Sequence, residues 1–124
     1  MPSEDILRQL FVKKSLKNNE AGFELQLLNP LSNATIIEPA RIVVKGENVE
    51  KERYKDFEVE VNDSRLKNKE ISKKNPLDFP VNTKAIIYLK RDQILPVGKY
   101  TITFTLLTQE FGELKFKVKE KIRE

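Results

Sequence analysis

The sequence contains no cysteine, no histidine and no tryptophan, and its one methionine is Met1. Without Cys or His there is no Cys/His zinc site, thiol nucleophile, haem histidine ligand, histidine general base or Ser-His-Asp triad. Glycine is scarce as well. Gly22, Gly46, Gly98 and Gly112 stand singly, so no glycine-rich loop can cradle a phosphate. No stretch is long and apolar enough to span a bilayer. Met1-Pro2-Ser3-Glu4-Asp5 lacks the basic and apolar regions of a signal peptide. The expectation is a cytoplasmic protein with no membrane partner; the absence of cysteine fits any compartment.

What is present describes one globular domain over residues 1–124, with 39% hydrophobic and 34% charged residues. A chain of this size buries roughly two-thirds of its unfolded surface and needs no disulfide or metal to fold. The formal charge of +4 is a modest basic bias. Dense Lys and Glu suggest a thermophile-like surface, against which the asparagine content weighs. The sequons Asn33-Ala34-Thr35 and Asn62-Asp63-Ser64 read as chance matches in a chain with no export signal.

Six stretches alternate apolar and polar residues with period two, the mark of half-buried strands. They are Gly22 to Asn29, Arg41 to Gly46, Phe57 to Val61, Lys84 to Lys90, Tyr100 to Leu107 and Leu114 to Lys119. The fourth is apolar on both faces and should be central. From it Ile86 and Tyr88 are assigned to the core, with Phe23, Leu25, Leu27, Phe57, Val59, Ile102, Phe104, Leu106, Leu114 and Phe116. A seventh strand is expected near Phe11 to Lys17. Ser3 should cap a short helix carrying Ile6, Leu7 and Leu10 on its apolar stripe. Arg65 to Phe79 reads as a long connection crossing between two sheets, with a helical turn near Ile71. The last two strands should form a hairpin across Thr108 to Glu113, with threonines and lysines on its outer face. The fold class is therefore all-β: an antiparallel immunoglobulin-like β-sandwich of about seven strands with a short N-terminal helix.

Leu95-Pro96-Val97-Gly98-Lys99-Tyr100-Thr101-Ile102 resembles the last hairpin of many immunoglobulin-like modules, where a Pro-x-Gly corner precedes an aromatic residue. The Cys-Trp-Cys core of antibody domains is absent. A closer resemblance is to a small group of archaeal proteins of this length. It rests on Ser15-Leu16-Lys17-Asn18 leading to Gly22-Phe23-Glu24-Leu25 and Asn29-Pro30-Leu31, and on Glu110-Phe111-Gly112-Glu113-Leu114-Lys115-Phe116. Some of these proteins carry a label relating them to hydroxymethylglutaryl-CoA reductase. A reductase of that kind needs a catalytic histidine, and this chain has none. The resemblance implies a fold and no activity.

Lys115, Lys117 and Lys119 are the most regular polar feature. Period-two alternation puts them on one strand face, with Lys121 and Arg123 extending the stripe. A polyanion such as nucleic acid could use it. An edge strand protected against aggregation explains it too, as does cross-strand pairing with Glu58 and Glu60. Lys67, Lys69, Lys73 and Lys74 form a second basic group in the long connection; its adjacency to the stripe would strengthen the polyanion reading. Asn62, Asp63, Asn75, Asp78 and Asp92 match no calcium loop and suit turns. Glu58 and Glu60 should be solvated, and Ser15, Ser32, Ser64 and Ser72 lack a general base. No catalytic residue, cofactor or metal is therefore assigned.

Two functions remain. The first is a non-enzymatic structural or interaction module binding a protein partner or itself through an exposed sheet edge. Leu7, Leu10, Phe11, Leu28 and Leu107 are candidates for a self-association patch, unless the N-terminal helix covers them. The second is polyanion binding through Lys115, Lys117 and Lys119.

Overall fold

The alternating stretches become the long strands of two antiparallel sheets. The computed structural model describes residues 2–123. Helix α1 (Glu4–Leu7) is capped by Ser3, whose Oγ accepts from the Ile6 amide, and runs into a 3₁₀ turn at Arg8–Leu10. Eleven strands follow: β1 (Lys17–Asn18), β2 (Gly22–Leu28), β3 (Ala34–Ile36), β4 (Arg41–Gly46), β5 (Glu52–Tyr54), β6 (Phe57–Val61), β7 (Ser64–Lys67), β8 (Leu77–Phe79), β9 (Lys84–Lys90), β10 (Gly98–Thr108) and β11 (Gly112–Ile122). The six expected alternating strands are β2, β4, β6, β9, β10 and β11. The stretch Phe11 to Lys17 is not one strand. It touches β2 at a Phe11–Leu27 bridge and again at β1, with Lys14 at φ 68° between them.

The first sheet has the order β1-β2-β9-β6-β7, so β9 is central as expected. In the second, β10 takes β4 and β3 on one side and β11 along its whole length on the other. β5 flanks β4, and β8 flanks β3. Pairing Thr105 with Arg41 but Thr108 with Ile36 leaves two extra residues on the β3–β4 side. That bulge holds Pro39, which could not have donated to an unbroken ladder. The segment after β6 does cross between sheets: β7 lies in the first, β8 in the second, with a 3₁₀ turn at Asn68–Glu70 between.

Both sheets bury residues in one apolar cluster. Phe104 stacks on Phe116 with centroids 4.9 Å apart, and Phe11 packs against Phe104 at 6.2 Å. Ile102, Phe104 and Leu106 are buried while Thr101, Thr103 and Thr105 face outward, which is the expected register. On β9 the expected face is wrong. Ala85, Ile87 and Leu89 are buried, whereas Ile86 and Tyr88 are only half-buried on the outer side. Tyr88 lies there under the Arg65 guanidinium, 4.0 Å from its ring centroid. The β10–β11 hairpin forms with a tighter loop than expected, Gln109 to Phe111, closed by Gly112 at φ 72°. Gly22 is required for another reason: a Cβ there would lie 2.1 Å from the Leu89 carbonyl oxygen.

Asparagine amides join the parts that the ladders leave apart. Asn68 is fully buried; it accepts from the Ala40 amide and donates to the Ala40 and Lys55 carbonyls. Asn18 makes the same reciprocal pair with the backbone of Leu95. At the corner beyond Leu95, Tyr100 donates its hydroxyl to the Pro96 carbonyl, as the tyrosine corner of immunoglobulin-like sandwiches does.

Two stability predictions follow from this packing. Phe104→Ala should cost about 3–5 kcal/mol, because the cavity between the sheets cannot collapse fully. Asn68→Ala should lower the free energy of unfolding by about 2–4 kcal/mol, since it strands buried backbone groups at Ala40. Equilibrium urea unfolding measures both; a change within about 0.5 kcal/mol, typical of a surface site, would contradict either assignment.

Candidate basic trough on the second sheet

The outer face of the second sheet is built from the side chains that alternation turns away from the core. Its floor is Thr101, Thr103 and Thr105 on β10. The ladder sets Lys119, Lys117 and Lys115 beside them on one side, and Lys45, Val43 and Arg41 on the other. Arg53 on β5 stands next to Val43, extending the central row to Arg53–Val43–Thr103–Lys117. Lys51 and Lys55 flank Arg53. The result is an open trough of about 740 Å³ with a hydroxyl floor and two cationic walls. The walls stand on strands two spacings apart, roughly 9–10 Å, and Lys115 to Lys119 covers roughly 13 Å of length.

The lysine stripe thus occupies the outer face of β11, a free sheet edge. The sequence reading missed its opposite wall: Arg41, Lys45, Lys51, Arg53 and Lys55. Seven cations line the trough against one carboxylate, Glu113, which pairs with Arg41 at 3.3 Å. A second hollow, of about 660 Å³, adjoins it at Thr101 and Lys117 and adds Arg8, Lys13, Lys14, Lys119 and Arg123. Its carboxylate, Glu120, accepts from the backbone amides of Lys14 and Lys121. Beside it α1 and the 3₁₀ turn after it clasp the edge of β11 that no strand pairs. Glu4 accepts from the Lys117 amide at 3.1 Å, and Arg8 donates to the Lys117 carbonyl at 2.8 Å.

The other candidates lie elsewhere. Glu58 and Glu60 belong to β6 in the first sheet, so they do not pair with the lysine stripe. Glu58 instead meets Arg65 at 2.6 Å. Lys67, Lys69, Lys73 and Lys74 are exposed on and after β7, and none lines the trough. Asn62 and Asp63 both take positive φ in the two-residue β6–β7 turn. Such a turn demands that conformation. Ser15 is buried, its Oγ accepting from the Gln26 amide. Among the described residues no group of three acidic side chains is placed to hold a metal. Leu7, Leu10 and Phe11 are buried within the chain, Leu107 is half-buried and only Leu28 is exposed. The N-terminal segment therefore covers apolar surface that the self-association reading left open.

Three ionisable groups with shifted pKa values, Glu52, Tyr54 and Arg91, form a structural cluster. Arg91, just after β9, reaches across to Glu52 on β5 at 3.0 Å and also binds the carbonyls of Gln93 and Ile94. It thereby ties one sheet to the other. Hydrogen bonding to Arg91 holds the Glu52 carboxyl below its ordinary value of 4.5, against an opposing desolvation. Burial, then Glu52 itself, pushes the Tyr54 hydroxyl well up. Because the folded carboxyl is the stronger acid, the pair's stabilisation is complete above pH 4.5 and is lost as pH falls through the folded value. Arg91→Met should lower the melting temperature at neutral pH and flatten the decline below pH 4.5. Parallel thermal melts of wild type and variant measure this; equal acid slopes would refute it.

No helix among the described residues is long and apolar enough to cross a membrane. A family model described as hydroxymethylglutaryl-CoA reductase, N-terminal domain, matches residues 6–123. No curated protein matches the chain. The reductase half of the resemblance seen in the sequence is thus shown; its archaeal, immunoglobulin-like half is not.

Proposed function

From the chain's membership of the hydroxymethylglutaryl-CoA reductase N-terminal domain family, we propose that it is a non-enzymatic binding module whose working surface is the basic trough. Its partner is a polyanion. One observation carries the reading: Arg41 and Lys45 stand on β4, an interior strand, facing Lys115 and Lys117 across a threonine floor. Edge protection accounts for cations on β11 and β5, but it gives no reason for a matching wall on β4. Convergent like charges repel one another, and an anionic ligand is what relieves that repulsion.

A non-enzymatic role is supported by the placement of the ionisable groups. The carboxylates nearest the trough are engaged, Glu113 by Arg41 and Glu120 by backbone amides. The trough is open to water, and a wet site shifts a pKa little. Of the two roles read from the sequence, polyanion binding is the one this surface supports.

Heparin and inorganic polyphosphate are suitable probes. Binding measured by titration should weaken linearly in log–log form as salt rises, because bound counterions are released. Arg53→Glu with Lys117→Glu should reduce affinity by about tenfold or more and flatten the salt slope by roughly 0.7–1 per lost contact. Binding that ignores salt, or that survives the double reversal unchanged, would defeat the reading. Thermal unfolding controls for folding, since these exposed positions should change stability by only about 0.5 kcal/mol.

A further inference from the structure

We propose that the trough and the adjoining hollow form one track, and that its occupant is a single-stranded nucleic acid held by its phosphates across β11. The inference rests on the polyanion reading above and names the ligand class. Thr101 and Lys117 line both hollows, so cations continue from the sheet face to the N-terminal segment. Twelve of the chain's 23 lysines and arginines line the two together. A small anion would fill a fraction of such a surface; a polymer uses all of it.

The path turns. It starts on the outer face of the sheet and ends beside the free edge of β11, where the Lys14 amide donates to Glu120 and Arg8 donates to the Lys117 carbonyl. Duplex DNA, with a persistence length of about 50 nm, bends over so short a distance only at a cost. A single strand follows the turn freely. Alternate residues of β11 present one charge every 6–7 Å or so, comparable to the phosphate repeat of an extended single strand. Two aromatic residues line the path: Phe11, in the second hollow, is 8% exposed and packed on Phe104, and Tyr54, in the trough, is half-buried with its ring against Phe23 and its hydroxyl donated to Glu52. Bases therefore find no stacking platform, and recognition is of the phosphate chain, indifferent to sequence.

The test is fluorescence anisotropy with labelled oligothymidylates of increasing length, at fixed low salt. A blunt DNA duplex and a polyglutamate peptide of equal charge serve as comparators. Affinity should rise with length until both hollows are filled. Lys13→Ala with Lys14→Ala should weaken the longest oligomer by about tenfold and leave the shortest unaffected. The single strand should bind more tightly than either comparator. Length-independent affinity, long-oligomer binding that ignores the double substitution, or tighter binding of duplex or polyglutamate would each overturn the track. In those cases the trough reading stands if heparin binding still falls on reversal of Arg53 and Lys117. Failure of heparin, polyphosphate and every oligomer to bind the wild-type chain would remove both.

Discussion

Alternation along one strand, β10, sets the inside and the outside of this domain together. Ile102, Phe104 and Leu106 enter the core, where Phe104 meets Phe116 from β11 and Phe11 from the N-terminal segment. The three threonines between them become the floor of the trough. A shift of one residue in register would exchange the two sets, placing hydroxyls among the aromatics and phenylalanine in water. The burial that stabilises the sandwich is thus the same constraint that holds the basic walls at their separation. Because β10 pairs along both sides, neither wall can move without breaking a ladder.

Ladders alone do not close the sandwich. Where the chain passes between sheets, backbone groups must find partners away from any neighbouring strand. Asparagine supplies them, because its amide carries a donor and an acceptor in the geometry of a peptide group. Asn68 holds the β3–β4 bulge at Ala40, Asn18 holds the loop at Leu95, and Asn29 donates to the Ser32 and Phe79 carbonyls. Among the described residues no buried side-chain nitrogen or oxygen is left without a partner. An asparagine content that looks like loop composition is in these places part of the core.

The long strands were legible because five to eleven residues repeat the period often enough to be read. The three-residue strands β3, β5 and β8 repeat it barely once, and they exist through their neighbours. Strand β9 shows a different limit. With Ile86 and Tyr88 on one face and Ala85, Ile87 and Leu89 on the other, both faces are apolar, and only the packing of β2 and β6 decides between them. The trough was half legible. Lys51, Arg53 and Lys55 repeat the same period-two basic pattern as Lys115 to Lys119, and Arg41 and Lys45 show it with Val43 between them. What local sequence cannot supply is that β4 pairs with β10 across more than fifty residues, bringing the two patterns to one face.

The clasp between α1 and β11 has a consequence for how the chain is made. Glu4 and Arg8 bind the backbone of Lys117, 113 and 109 residues further on, while Leu7, Leu10 and Phe11 sit in a core that β11 helps to complete. Synthesis delivers the N-terminal residues first and their partners last. Within this domain the first apolar segment to be made is therefore the last to be covered, and its closure waits for β11 to emerge. Until β11 is in place, Leu7, Leu10 and Phe11 lack part of their cover and stand among the charges of Glu4, Asp5, Arg8, Lys13 and Lys14.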